Sequence, residues 1–308
     1  LAASEVLSSR GIAKPHDLVS ALDEEGYLLS DRLATALFLS LELARPLLLE
    51  GDAGVGKTEL ALALAHWLGS DLIRLQCYEG IDAAQAMYDW NYSRQLLHLK
   101  ALEVVRSNTS TDLAELERDL YSEEFLIERP LLAALGGKDR TRPPVLLIDE
   151  IDRADDEFEA FLLEVLSTSM ITIPEIGPRR AMVAPLTVLT SNRTRELHDA
   201  LKRRCLYHWV DHPSFDREVA IVQRRVPEAS EALAKQVTGA VHALRSHELL
   251  KAPGVAETID WARALVALDA DDLTPEVFAG TLGVVIKHRD DEERARGVDL
   301  SGLFASGS

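Results

Sequence analysis

The sequence predicts an α/β protein: an αβα core on a five-stranded parallel sheet, followed by an all-helical C-terminal domain. Three observations predict it. A glycine-rich loop sits between an apolar strand and a strong helix former at 46–68. Four more short runs of strand type follow, three of them mainly apolar. From Pro213 onward the only periodicity is helical. Strands buried on both faces of a parallel sheet read as near-continuous apolar runs, whereas a core-facing helix repeats its apolar positions every three to four residues.

The elements follow in order. Residues 14–45 read as helical, with Pro15 suited to a first turn and Asp31 capping the run Leu33 to Leu43. Pro46-Leu47-Leu48-Leu49-Glu50 is the first strand, and Glu59 to Leu68 is rich in Leu and Ala, the best helix formers. Gly69-Ser70-Asp71 breaks that helix, and Leu72-Ile73-Arg74-Leu75-Gln76 alternates like a strand. Helices are expected over Arg94 to Val105, Leu113 to Leu120 and Pro130 to Leu135, with a loop at 107–111 and a basic connector over 138–144. Val145 to Glu150, Leu186 to Asn192 and Leu206 to Val210 are the remaining sheet strands. Asp155 and Asp156 cap a helix over Glu157 to Leu166, and the segments flanking Gly177-Pro178 suggest a hairpin over 171–183. Helices are expected over Ser214 to Arg225, Ala229 to Leu250, Glu257 to Leu268 and Thr274 to His288. The domain division is 1–212 for the core, carrying N-terminal helices and an insertion at 107–142, and 213–308 for the helical domain.

The glycine loop carries the chemistry. Gly51-Asp52-Ala53-Gly54-Val55-Gly56-Lys57-Thr58 fits G-x-x-x-x-G-K-[ST], the phosphate-cradling P-loop. Glycines let the backbone turn its amides inward, and the following helix, opening at Glu59, presents its positive end to the same anions. Residues 51–59 are therefore the candidate cradle for ATP. Lys57 is placed on the β- and γ-phosphates, and the Thr58 hydroxyl on Mg²⁺. Asp149 and Glu150 end a buried strand at the edge where ligands bind in open α/β sheets. Asp149 is expected to hold Mg²⁺ through water, and Glu150 to polarise the attacking water. As neighbours on a strand, the two acids are expected to project to opposite faces.

Composition sets the bounds. Of 308 residues, 47% are hydrophobic, with no stretch of membrane-span length. Leu1-Ala2-Ala3-Ser4 lacks a basic region followed by an apolar core, so no signal peptide is visible. Cys77 and Cys205 form no disulfide or ligand pattern, which gives a reducing cytoplasm as the expected location. A net charge of −18 disfavours a nucleic-acid channel, which needs a basic footprint. The aromatic run Tyr88 to Tyr92 therefore reads as packing before base stacking. His208 and His212, four apart at a strand exit, read as tolerated or hydrogen-bonded histidines and not as a zinc site.

A five-strand P-loop core followed by a helical domain is the plan of the AAA+ ATPases, and three stretches extend the resemblance. Asp149-Glu150-Ile151-Asp152-Arg153-Ala154 resembles the D-E-I-N/D-R-A block of the MoxR-like family. Thr190-Ser191-Asn192-Arg193 resembles a sensor 1 strand end. Ala200-Leu201-Lys202-Arg203-Arg204-Cys205 resembles an arginine-finger segment. Gln76-Cys77-Tyr78-Glu79-Gly80 and Thr190 to Leu197 look closest to the CoxD-like branch, whose members resemble chaperones for metallocofactor maturation of carbon monoxide dehydrogenase and related molybdenum enzymes. The resemblance implies that Asn192 contacts the attacking water or the γ-phosphate. It implies that Arg204, with Arg203 sharing the role, reaches a neighbouring subunit's nucleotide, so that the protein works as a ring, a hexamer in this reading. Arg153 falls at the same interface. A von Willebrand factor A-domain partner and a client metalloenzyme are implied by resemblance alone.

Two departures stand out. The lid-helix arginine of the family corresponds to Thr258, with Arg263 one further turn along as a substitute. The stretch from Lys57 to Asp149 is long for the plan, and the excess fits a partner-binding insertion. The rivals are a DNA-directed AAA+ motor, a nucleotide-binding regulatory module with little hydrolysis, and a small-molecule P-loop kinase, which leaves Arg204 unexplained.

Overall fold

The computed structural model describes residues 3–105, 113–136 and 141–297. Among the described residues nine strands form three sheets. They are β1 (Leu47–Glu50), β2 (Leu72–Gln76), β3 (Tyr88–Trp90), β4 (Leu126–Glu128), β5 (Val145–Asp149), β6 (Met170–Ile173), β7 (Gly177–Arg180), β8 (Leu186–Ser191) and β9 (Leu206–Trp209). The main sheet has the order β2-β5-β8-β1-β9, with every pairing parallel. Every residue of β1, β5 and β8 is buried, as the continuous apolar runs require.

Alternation along the strands divides the core in two. Leu47, Leu49, Val145, Leu147 and Val188 pack with the N-terminal helices and the helix Lys57–Leu68. Leu48, Leu146, Ile148 and Leu189 pack with Phe158, Leu162, Leu131 and Leu201 on the opposite face. The result is the expected αβα layering on five parallel strands, with a third, purely helical core built around Val222, Val237, Leu244, Trp261 and Leu282.

Most elements fall where the sequence places them, with informative shifts. The 14–45 run is two helices, Pro15–Glu24 and Asp31–Glu42. Ser30, and not Asp31, is the cap: its side chain accepts from Leu33 N at 3.3 Å. The hairpin is β6 and β7, but Gly177-Pro178 lies in β7 opposite Ile173 and Thr172, so the turn precedes it. After Ser214 come helices Phe215–Arg225, Glu231–Arg245, Val255–Ala267 and Pro275–Val285, then Arg289–Ala295.

The expected 107–111 loop and the start of the connector, 138–140, lie outside the described residues. Antiparallel pairing of β3 with β4 places helices Tyr92–Val105 and Leu113–Leu120 in one excursion between paired strands. Trp90 is buried there, edge-on to Tyr88 and Tyr121, so it is a packing residue, while Tyr92 is exposed. Cys77 and Cys205 are both buried and unbridged, and burial pushes each thiol up to about 12. Among the described residues no helix is long and apolar enough to cross a membrane, and no cluster of metal-binding side chains occurs.

Candidate functional site

The C-terminal ends of β1, β5 and β8 open into a cleft of about 680 Å³. Ala53 to Glu59 form one wall, Asp149, Glu150, Thr190 and Asn192 another. Gly26 to Leu33, the β9 exit from His208 to Ser214, and the helical domain through Arg217, Ile221, Arg225, Val255 and Ile259 close the rest. Gly51 and Asp52 stand behind the cleft lining.

Backbone geometry explains the glycines. A Cβ on Gly51 falls 2.3 Å from the Val210 carbonyl oxygen, because the chain leaving β9, which runs parallel beside β1, lies against the loop. The chain locks there: Gly51 N donates to Ser191 O at 3.3 Å and Val210 N donates to Glu50 O at 2.7 Å. Gly56 caps the helix Lys57–Leu68 in the left-handed region at φ 94°. Lys57 is buried, and its Nζ donates to the Gly51 and Asp52 carbonyls at 2.7 and 2.6 Å. Burial pulls its pKa below the ordinary lysine value, while the charges of Asp52, Asp152, Asp149 and Glu150 oppose that shift.

Asp149 is buried and saturated. Its Oδ1 accepts from Thr58 Oγ1 at 3.2 Å and from the Thr190 hydroxyl. Its Oδ2 pairs with the Arg74 guanidinium at 2.5 Å. Arg74 stands on the edge strand β2, two residues from Gln76, which aligns with Asp149. Glu150 corrects one expectation. It lies beyond β5 in a left-handed conformation, φ 54°, so Asp149 and Glu150 line the same cleft and do not project to opposite faces. Its backbone N donates to Thr190 Oγ1 at 3.0 Å and its side chain pairs with Arg153 at 2.7 Å.

Asn192 follows β8 directly and lines the cleft. Arg203 and Arg204 end the helix Asp199–Arg204, with exposed side chains outside the cleft of their own chain. Arg45 fixes their backbone, donating from Nε to Arg204 O at 3.1 Å and from Nη2 to the Arg203 and Cys205 carbonyls.

The helical domain touches the loop by backbone. Val255 N and Ala256 N donate to Gly54 O at 3.0 and 3.3 Å. A Cβ on Gly254 falls 2.7 Å from the Ala53 carbonyl oxygen. Thr258 is buried beneath this contact, donating to Glu218 at 2.6 Å, and Arg263 pairs with Asp260 away from the cleft lining. The arginines of this domain that do line the cleft are Arg217, which donates to Leu28 O, and Arg225, which pairs with Glu59. His208 and His212 line it too, and burial lowers the pKa of both.

Sequence reasoning missed Arg74, Thr190, Arg217 and Arg225. Only Thr190 carried a signal, as a polar residue in a buried strand. The others reach the cleft through pairings distant in sequence.

The loop, the acid-ended β5 and the polar end of β8 all fall within one matched segment. Residues 46–205, more than half of the chain, match the family of AAA domains of the dynein-related subfamily. The chain belongs to this AAA family. AAA+ ATPases as a class bind and hydrolyse nucleotide with Mg²⁺. No curated protein sequence matches the chain. A Thermotoga maritima RuvB variant is similar in structure, with TM-score 0.50 and 20% identity over 92% of this chain and 84% of that one. A Cytophaga hutchinsonii protein described as a candidate ATPase gives TM-score 0.46 and 14% identity over 98% and 96%. At these identities the likeness concerns the fold alone.

The donor set suits the group that the family handles. Thr58 and Asp149 offer only oxygen, which a hard divalent cation prefers. The Lys57 ammonium and the helix start at Lys57 are the natural partners of phosphate oxygens.

Proposed function

We propose that this AAA protein is a ring-forming ATPase of MoxR-like type, closest to the CoxD-like branch, that remodels a partner protein. The partner in this reading is a metalloenzyme precursor awaiting its cofactor, with a von Willebrand factor A-domain protein as co-partner. The reading of the client rests on the resemblance. The reading of the chemistry rests on one observation: Lys57, Thr58, Asp149, Glu150 and Asn192 line one cleft, whereas Arg203 and Arg204 stand outside it.

Each residue's part follows from its position. Of the loop 51–59, the cleft-lining residues 53–59 hold the phosphates through backbone amides, with Lys57 exchanging the carbonyls of Gly51 and Asp52 for phosphate oxygens. Thr58 would hold Mg²⁺ through its hydroxyl, and Asp149 would hold it through water. Asp149 Oδ2 is now paired with Arg74, so a cation that binds it directly competes with that guanidinium. Glu150, released from Arg153, orients water and accepts its proton. Asn192 fixes the water or the γ-phosphate. When bound, the nucleotide supplies the scissile phosphoanhydride, and the metal neutralises charge on its oxygens.

Arg204, assisted by Arg203, is the finger supplied to the neighbouring subunit, a geometry that requires a closed ring. The hairpin β6–β7 and the excursion between β3 and β4 are the client-facing elements. The helical domain, 213–308, is the lid. Its grip on Gly54 through Val255 and Ala256 is the contact by which hydrolysis moves it.

Native mass and ATPase rate, measured for wild type and Glu150→Gln with and without ATP, test the reading. The variant is expected to form an ATP-stabilised oligomer with hydrolysis nearly abolished. A monomer under every condition sinks the ring.

A further inference from the structure

Asp152 has no part in the chemistry above, yet it is one of the most thoroughly held carboxylates in the molecule. It lies in the short turn Ile151–Arg153 just after β5 and is 2% exposed. Burying a carboxylate without a counter-charge is unfavourable unless hydrogen bonds replace its water. Among the described residues no cation forms an ion pair with it. Its hydrogen-bond partners come instead from the loop that leaves β8. Asn192 N donates to Oδ1 at 3.3 Å, Thr194 N to Oδ2 at 2.8 Å, and Thr194 Oγ1 to Oδ2 at 2.7 Å. Thr194 Oγ1 also lies 3.3 Å from the Asp152 carbonyl oxygen.

Arg193, between the two donating residues, adopts φ 56°. A left-handed residue at that place turns the flanking amides toward a common anion, as in backbone anion nests. Here the anion is the protein's own side chain. The segment that carries Glu150 is tied to the end of β8 as well, since Glu150 N donates to Thr190 Oγ1 at 3.0 Å. The two segments that carry Glu150 and Asn192 are thus fastened together by side chains, beyond the sheet that ends at Asp149 and Ser191.

We propose that Asp152 is a positioning residue for Asn192: its carboxylate shapes the 192–194 loop so that the Asn192 side chain stays registered on the reacting phosphate while Glu150 moves. The inference rests on the reading of Asn192 given above. Asp152 also belongs to the group of carboxylates that act on Lys57, so nucleotide affinity is the necessary control.

The experiment compares kcat, KM and fluorescent-ADP affinity for the full chain carrying Asp152→Ala, Asp152→Asn, Thr194→Val and Asn192→Ala, alone and with Asp152→Ala combined with Asn192→Ala. Asp152→Ala is expected to lower kcat by roughly tenfold or more while affinity stays within about twofold, a split expected of lost transition-state contacts. Asp152→Asn keeps one acceptor oxygen and recovers part of the rate. Thr194→Val, which removes a single hydrogen bond and spares the carboxylate, loses less. In the Asn192→Ala background, Asp152→Ala costs little more, because residues acting as a unit are not additive. A wild-type rate in Asp152→Ala beside an impaired Asn192→Ala overturns the positioning role alone. So do fully multiplicative losses in the double variant. A wild-type rate in Asn192→Ala removes the reading of Asn192 itself, and the proposal with it. If Asp152→Ala does not fold, Thr194→Val decides: an unchanged kcat overturns the proposal, and a reduced kcat at unchanged affinity supports it.

Discussion

At the scale of single residues, the molecule separates groups that face its own cleft from groups that face outward. Lys57 and Asp149 are buried and bonded inward, whereas Arg203 and Arg204 share a helix end whose backbone is tied to Arg45 while their side chains stay free of the cleft. An arginine that acts on a neighbour is dispensable for binding in its own subunit. Arg204→Ala is therefore expected to keep nucleotide affinity within about twofold and to lose most of its hydrolysis, as removal of an arginine finger does. Mixing it with Lys57→Ala, which binds poorly but keeps its arginine, should restore part of the rate. Loss of nucleotide binding by Arg204→Ala would mark it as structural. The P-loop lysine was legible because its motif is local. Arg74 was not, because only the pairing of β2 with β5 brings it to Asp149.

At the scale of elements, the helix Val255–Ala267 meets the phosphate loop through its backbone. Its first amides meet Gly54 O, and Gly254 fits against Ala53 with no room for a side chain. Gly254→Ala places a Cβ 2.7 Å from a backbone oxygen. It is expected to push this helix off the loop, weakening nucleotide binding while leaving the melting of the isolated fold nearly unchanged. An unaltered affinity would show that the contact is incidental. Behind this helix, Glu218 joins three others. It accepts from both Arg245 terminal nitrogens at 2.6 and 2.8 Å, from Thr258 Oγ1 at 2.6 Å, and meets His242 Nε2 at 2.9 Å.

Burial raises the pKa of Glu218, but Arg245, Thr258 and His242 together bring it below the ordinary glutamate value. A carboxylate with a depressed folded pKa adds stability above its unfolded value, near 4.3, that is lost as pH falls through the folded one. The helical domain should therefore lose stability in acid below about pH 4. Glu218→Gln leaves the largely buried Arg245 guanidinium without its counter-charge, with only the Pro253 carbonyl still on its Nε, at a cost of roughly 3–5 kcal/mol, and should flatten that acid limb. Chemical denaturation followed at Trp261, which sits in this helical core, measures both. An unchanged midpoint would mean the network carries no net energy.

At the scale of the whole molecule, net charge is what separates the proposed remodelling of a protein from work on DNA. The net charge of −18 opposes the counterion release that drives binding to nucleic acid. The fold likeness to RuvB is to a protein that one Thermotoga maritima structure describes as a Holliday junction branch migration motor. It does not carry that role here. Duplex or junction DNA at low salt is expected to leave the ATPase rate unchanged. A DNA-stimulated rate that collapses with added salt would replace the remodelling reading with a DNA motor.

The phosphate loop, the acid-ended strand, the parallel five-strand core and the turn to helices after Pro213 were all legible in the residues alone. These are signals of contiguous residues: burial on both faces writes itself as an apolar run, and a loop that must approach phosphates writes itself in glycine. The exact edges were less legible. Gly177-Pro178 reads as a turn but sits in β7, and Glu150 reads as strand but turns left-handed beyond it. Which residues meet at the cleft was set by packing between distant segments. Arg74, Arg217 and Arg225 arrive from a distant strand and helix, Asp152 grips a loop some forty positions away, and Gly254 is shaped by the backbone it touches. Contacts between segments far apart in the chain leave no local pattern, because what selects them is the geometry of packing and not the periodicity of either partner.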